Sequence, residues 1–228
     1  MDITSNGIIY MLDLLGIASF AFSGALRAVR RRPDLVGITI LAGATAIGGG
    51  MIRDALLGGG AGMLRDWRYP AVILASALVT ASFPKKLTER ETFFKYFDAL
   101  GLGIFSAIGA TIALRSGLGF LWAMFVAGIT GAGGGVVRDV LLNEMPLVLY
   151  REVYITAVAI GAAALWAGRR FLGLGELTGF FLGMTITITI RVVAIYRSWS
   201  LPRVGLAARD NNCNRPLFGK WTSDEEEK

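Results

Sequence analysis

The 228-residue sequence has no histidine, one cysteine (Cys213), six prolines and only 18% charged residues. Without histidine it lacks the commonest metal ligand and the side chain that most readily exchanges a proton near neutrality. Metal hydrolases and histidine-based catalytic schemes therefore lose their footing. A lone cysteine admits no internal disulfide. No Ser-His-Asp order, zinc-ligand spacing, Walker-type loop or dinucleotide fingerprint can be drawn. The run Gly58-Gly59-Gly60-Ala61-Gly62 is not followed by the Lys and Ser/Thr that a phosphate loop needs, and reads as a flexible loop. Neither an enzyme nor a bound cofactor or metal is expected. The scarcity of charge is itself informative, because soluble domains carry nearer a quarter.

What the sequence has instead is apolar length. Hydrophobic residues make up 54% of it and its mean hydropathy is +0.57. Several runs approach the roughly 20 residues that cross about 30 Å of hydrocarbon as helix. Seven spans are predicted, at about 7–29, 34–58, 69–84, 92–115, 118–143, 150–168 and 175–196. Arg30-Arg31-Arg32-Pro33-Asp34 punctuates the first two and Pro84-Lys85-Lys86 closes the third. The start, Met1-Asp2-Ile3-Thr4, has an acidic rather than basic head, so the first run is read as a retained span and not a cleaved signal. Residues 1–199 are expected to form the transmembrane domain. Residues 200–228, with Pro202, Asn211, Asn212, Pro216 and the acidic run Asp224 to Glu227, are too polar to bury a core and are expected to form a mobile tail.

The net charge of +6 does not form a basic stripe of the kind nucleic acid requires, because the cations fall between apolar runs. They serve as topology signals. One side collects Arg27, Arg30, Arg31, Arg32, Lys85, Lys86, Arg90, Lys95, Arg151, Arg197 and Arg203, against Arg65, Arg68, Arg115, Arg169 and Arg170 on the other. The positive-inside bias predicts an outside amino terminus and a cytoplasmic carboxyl terminus, with membrane lipids as the surrounding partner.

The segment Gly48-Gly49-Gly50-Met51-Ile52-Arg53-Asp54 recurs as Gly133-Gly134-Gly135-Val136-Val137-Arg138-Asp139, 85 positions on. The same offset pairs Asp13 with Asp98, Gly16 with Gly101, Phe20 with Phe105, Gly24 with Gly109, Thr45 with Thr130 and Tyr69 with Tyr154, without a gap. The chain is an internal duplication, with repeat 1 at about 7–88 and repeat 2 at about 92–172; the last span, at about 175–196, lies outside it. Three spans per repeat is an odd number, so the second copy enters the membrane from the opposite face. This is an inverted-topology repeat.

Each glycine triplet falls near the middle of its span. Glycine costs about 1 kcal/mol relative to alanine inside a helix, so Gly48 to Gly50 and Gly133 to Gly135 are predicted points of bending or unwinding. Paired breaks in inverted repeats mark a permeation path at mid-membrane. Close packing is the competing explanation, because small residues also recur at i, i+4 as Ala42, Ala46, Gly50 and as Ala127, Gly131, Gly135.

Charged residues inside a span must face a partner, water or the bundle interior. Asp13 and Arg53 both sit roughly 8 Å below the outer surface at 1.5 Å per residue. Two symmetry-related polar clusters are expected, Asp13 with Arg53 and Asp54 outside the glycine constriction and Asp98 with Arg138 and Asp139 inside it. The alternative has the arginines snorkelling to headgroups and the aspartates capping helix ends. In the last span Thr185, Thr187 and Thr189 are expected to bond back to preceding carbonyls. Arg191 and Arg197 read as interfacial anchors, and Trp67, Trp122, Trp166 and Trp199 as belt residues.

Two three-helix repeats, each with a glycine triplet followed by Arg-Asp, plus a seventh helix, resemble the prokaryotic trimeric intracellular cation (TRIC) channel family, whose bacterial sequences also carry the label of a glycine transporter domain. The resemblance covers roughly residues 7–196. It implies an all-α membrane protein with bent second and fifth helices, assembled as a homotrimer. It also implies one water-filled path per protomer and conduction of monovalent cations, chiefly potassium, with sodium a further permeant. The Lys-Glu-Val motif tied to anionic lipid in animal members is missing, so lipid regulation and voltage control are not carried over. Two other readings stay open: a carrier for glycine or another small neutral amino acid, and a structural membrane protein whose triplets serve packing alone.

Overall fold

The computed structural model describes residues 7–59, 66–83, 92–150, 153–197 and 199, and among these every regular element is helical. In chain order they are α1 (Gly7–Val29), α2 (Leu35–Leu57), α3 (Arg68–Ser82), α4 (Thr92–Arg115), α5 (Phe120–Leu141), α6 (Leu147–Tyr150), α7 (Ile155–Phe171) and α8 (Glu176–Tyr196). Local chemistry sets the ends. Asp34 caps α2 by accepting from the Gly37 amide at 2.7 Å, and Gly58, at φ +65°, closes it in the left-handed conformation that a residue without a β-carbon adopts at no steric cost. Asn143, at φ +55°, stops α5, and the Glu144 amide returns to the Asp139 carbonyl at 2.8 Å. After that stop Pro146 opens α6 as a separate turn, and the span expected from about 150 begins at Ile155.

Five helices, α1, α2, α4, α5 and α8, are long and apolar enough to cross a membrane. The 15 residues of α3 and 17 of α7 reach only about 22 and 25 Å at 1.5 Å per residue. Burial ranks the five. The apolar window of α4 is 83% buried, against 61% for α1 and 33% for α8, so α4 is enclosed by the other helices. Exposed side chains on the surrounding helices include Met11, Val36, Ile40, Leu121, Phe125 and Ile160, an apolar exterior suited to lipid.

The glycines are where the helices touch. A β-carbon at Gly49 would stand 2.2 Å from the Thr130 carbonyl oxygen, and one at Gly134 would stand 2.0 Å from the Thr45 carbonyl oxygen. Since Thr45 and Thr130 are duplicates, as are Gly49 and Gly134, the α2–α5 contact is reciprocal. The α1–α4 contact repeats the pattern, with Phe105 against Gly16 and Phe20 against Gly101. Phe20 and Phe105 also meet ring to ring at 5.3 Å.

Neither triplet unwinds. Residues 48–50 and 133–135 are continuous α-helix, which corrects the expectation of unwinding at these positions, although a continuous helix can still bend there. The physical reason is that the missing β-carbons are used for backbone approach, as in small-residue helix crossings, and the packed neighbour offsets the weak helix propensity. Thr45 and Thr130, both fully buried, bond back to Leu41 at 2.6 Å and Val126 at 2.7 Å, so their hydroxyls are satisfied within their own helices. The expected tail beyond residue 199, together with Cys213, Gly60 to Gly62, Arg65, Lys85, Lys86, Arg90, Arg151 and Arg203, lies outside the described residues.

Candidate functional site

Of the two expected polar groupings, the one around Arg138 is joined by direct contacts, whereas in the other Arg53 pairs with Asp54 and Asp13 lies only within electrostatic reach of them. Arg53 and Asp54 stand one turn past Gly50, and Arg138 and Asp139 one turn past Gly135. An arginine placed there is buried, 4% exposed for Arg53 and 0% for Arg138. Snorkelling is thereby excluded for these two, and each guanidinium must find its counter-charge inside the protein.

In the first cluster Arg53 turns to its neighbour, with Nε and Nη2 each 2.7 Å from Asp54 Oδ1. Asp13, 4% exposed on α1, accepts a hydrogen bond from the Tyr69 hydroxyl at 2.5 Å. Tyr69 stands at the start of α3. Its ring meets Tyr10 edge-on at 6.4 Å, and the Tyr10 hydroxyl donates to Asp66. Asp66 also accepts from the Arg68 amide at 3.0 Å, while Arg68 Nη1 donates to the Tyr10 oxygen at 3.2 Å. These donors, the Tyr10 hydroxyl foremost, hold the Asp66 carboxyl below the usual carboxylate range.

The second cluster is knit more tightly. Arg138 Nη1 donates to Asp98 Oδ1 at 2.7 Å and to Ser23 Oγ at 2.8 Å, and Nε donates to Asp139 Oδ1 at 2.8 Å. The other Asp139 oxygen accepts from the Leu147 amide at 2.9 Å, which ties the first turn of α6 to α5. Asp98 and Arg138 are fully buried and Asp139 is 1% exposed. One arginine thus links α1, α4 and α5.

The corresponding tyrosine behaves differently. Tyr154, the duplicate of Tyr69, sets its hydroxyl against the Asp98 carboxylate without the alignment of a well-formed hydrogen bond, and Arg191 lies within electrostatic reach. Asp98 Oδ2, Arg138 Nη2 and Arg191 Nε are buried without hydrogen-bond partners. A β-carbon at Gly135 would lie 3.2 Å from the Tyr154 hydroxyl and 3.6 Å from Arg138 Nη2, so the triplet's last glycine leaves this polar corner open. Beside it is a cavity of about 60 Å³ lined by Lys95, Asp98, Leu147, Arg191, Ala194 and Trp199, among others.

Arg191 requires a correction. It is 6% exposed with its guanidinium 4.5 Å from the centre of the Tyr154 ring, so it is an interior residue and not an interfacial anchor. Its position six residues inside α8, against the start of α7, gives it a protein partner before it can reach a headgroup. Sequence reasoning also passed over Tyr69, Tyr154 and Ser23. The two tyrosines carried a signal, because they recur at the duplication offset. Ser23 carried none.

Ion pairs tie the helix ends together. Glu144 after α5 receives Arg27 at 2.7 Å and Arg31 at 3.0 Å, and Arg27 also lies 4.4 Å from the centre of the Phe94 ring at the start of α4. The end of α1, the start of α4 and the end of α5 therefore share one side of the molecule. Arg115, ending α4, pairs with Glu176, opening α8, through Nε at 2.8 Å and a second contact. Thr187 bonds back to Gly183 at 2.9 Å, as expected. Trp67, Trp122 and Trp199 are exposed, while Trp166 is half-buried between Phe120 and Phe171. Among the described residues no three His, Cys, Asp or Glu side chains gather to hold a metal.

With this geometry in view, the comparisons with known proteins are specific. A family model described as glycine transporter matches the chain twice, at residues 10–85 and 95–170, in step with the duplication. A membrane protein of Deinococcus radiodurans is 44% identical over 161 residues, covering 69% of this chain and 75% of its own. The inner membrane protein YadS of Escherichia coli K12 is 36% identical over 203 residues, covering 87% of this chain and 97% of its own. Among solved structures, one described under conductance through TRIC cation channels superposes with a TM-score of 0.79 at 36% identity, covering 87% of this chain and 98% of that one. The TRIC trimeric intracellular cation channel orthologue from Rhodobacter sphaeroides superposes with a TM-score of 0.80 at 33% identity, over 85% and 100%.

Proposed function

The chain belongs to the prokaryotic TRIC channel family that the glycine-transporter model describes, a family of membrane proteins and not of enzymes, and from that membership we propose that it is a cation channel. It works as a homotrimer with one path in each protomer, and potassium is the chief permeant ion. The observation that carries this reading is the pair of buried polar clusters on either side of the reciprocal α2–α5 crossing. A carrier of charge needs polar stations inside an apolar bundle, and ionisable groups at membrane depth mark such stations. The carbonyl-on-glycine contacts are the closed point of the path. Opening moves α2 and α5 apart there, where helices with weak propensity yield most easily.

In this reading α3 and α7 complete seven spans, with the shorter helices accommodated by local thinning of the bilayer. The reciprocal contacts support an inverted arrangement of the two repeats. The cationic cluster at the α1–α4–α5 side, with Arg27 and Arg31, supports a cytoplasmic assignment of that side, an outside amino terminus and a tail inside. The carboxylates Asp13, Asp54, Asp98 and Asp139 offset Arg53 and Arg138, leaving each cluster with one net negative charge suited to a cation.

The family description and the internal duplication also favour a second reading, a carrier for glycine or another small neutral amino acid. Purified protein in planar bilayers separates the two. Discrete single-channel potassium currents are expected, whereas glycine counterflow in liposomes without such currents would replace the channel by the carrier.

A further inference from the structure

The duplication makes two clusters of equal charge, yet only the second is served by a helix that has no duplicate. Asp98, Arg138 and Asp139 sum to one negative charge, and all three are at most 1% exposed. The remaining deeply buried charge beside them is Arg191 on α8, which brings the group to neutrality. Arg191 and Asp98 line the same cavity, Lys95 stands half-buried on its wall, and Tyr154 lies under the guanidinium of Arg191. Each of the facing groups retains an unpartnered atom, Asp98 Oδ2 as acceptor and Arg191 Nε, Arg138 Nη2 and the Tyr154 hydroxyl as donors.

A cavity of about 60 Å³ is large enough for a few waters, at about 10–15 Å³ each. Water satisfies atoms of both kinds. An isolated anion would face the Asp98 carboxylate, and a cation entering the cavity competes with the Arg191 guanidinium and the Lys95 ammonium for that carboxylate.

We propose that Arg191 is the resident counter-cation of the second cluster, acting on Asp98 through this hydrated cavity, and that it sets how strongly a permeating monovalent cation is held at that end of the molecule. The proposal rests on the channel reading for its functional half. Arg191 is a positioning residue here, competing with the ion for the same carboxylate. Among the described residues the first cluster, Asp13 with Arg53 and Asp54, has no second buried cation, so a permeating cation is held unequally at the two ends.

The test uses the full chain in planar bilayers at roughly 50 mM KCl, where a single site's charge is least masked. R191Q is expected to change the ratio of inward to outward current by about threefold or more, with the difference shrinking as potassium saturates the site; R191K should stay near the parent. Asp98→Asn added to R191Q should bring the ratio back. A folded R191Q protein with the parent's ratio overturns the proposal. If R191Q does not fold, rescue by Asp98→Asn in the same chain supports the pairing, and failure to rescue overturns it. A second readout does not depend on conduction. KCl should raise the unfolding temperature of R191Q above its value in N-methyl-D-glucamine chloride by more than it does for the parent, and an equal response overturns the proposal. Should this shift appear in a protein that passes no current, the channel reading falls and the counter-cation stands.

Discussion

In the first repeat the interior aspartate is held by a tyrosine, in the second by an arginine. Asp13 takes its hydrogen bond from Tyr69 while Arg53 keeps to Asp54; Asp98 takes Arg138, which also grips Asp139 and Ser23, and Tyr154 is left without a well-formed hydrogen bond. The same residue types at the same spacing thus give two networks. Their surroundings make the difference. Arg138 is approached by Ser23 from α1 and by Asp98 from α4, the most enclosed helix, while α8 adds Arg191 to the second site and nothing equivalent to the first.

The sharpest way to break the comparison is to neutralise the aspartates one at a time. Asp98→Asn weakens a fully buried ion pair and is expected to cost about 3–5 kcal/mol. Asp13→Asn, whose partner is a neutral hydroxyl, should cost about 1.5–3 kcal/mol. Thermal unfolding of the two variants in detergent measures the gap, and equal costs would mean that the networks are interchangeable.

The crossing should respond symmetrically where the clusters do not. Gly49→Ala and Gly134→Ala each force a β-carbon to within about 2 Å of a backbone carbonyl oxygen, and each should cost about 1–3 kcal/mol or more. Gly48→Ala, whose β-carbon would meet a Val137 methyl at 3.3 Å, is the mild control. Helix-pair cross-linking together with melting would show whether one triplet tolerates what the other does not.

The tyrosine pair reads the same contrast from the hydroxyl side. Tyr69→Phe removes a hydrogen bond to a carboxylate and should lower stability by about 1.5–3 kcal/mol, whereas Tyr154→Phe removes a poorly aligned hydroxyl beside Asp98 and should change it by less, under about 1 kcal/mol. A larger loss at Tyr154 would place an ordered water on its hydroxyl.

The smallest effect is expected from Asp66, outside the helices. Its folded-state pKa is lowered, so the stability it contributes is fully present above the unfolded value near 4 and is lost as pH falls through the folded value. An Asp66→Asn protein should therefore lose slightly less stability than its parent between about pH 4 and pH 2. The measurement is a pH series of melting temperatures, and parallel curves would remove the Tyr10 contact from the account.

Much of this was legible in the sequence because a duplicated chain can be compared with itself. The recurrence of Asp13 as Asp98 and of Arg53-Asp54 as Arg138-Asp139 marks interior polar groups without any other sequence, and five of the predicted spans fall on helices long and apolar enough to cross a membrane. Arg191 was not legible, because α8 has no duplicate to compare and a cation near a helix end is equally compatible with a headgroup. For the glycine triplets the sequence left weak helix and close packing both open, and the structure makes them close contacts. A missing side chain has both effects, and only the neighbour decides which one prevails. The different fates of Tyr69 and Tyr154 depend on which partner reaches the aspartate first in space.

Copied genes ordinarily drift apart once each half is free to vary. Here Gly49 faces the main chain of one half and Gly134 faces the main chain of the other, so neither half can accept a bulkier residue at this spot without displacing its sibling. The two copies must age together at that point, and sequence divergence between them should accumulate at positions such as 43 and 128, where an added β-carbon meets nothing nearer than 3.7 Å, before it touches 49 and 134.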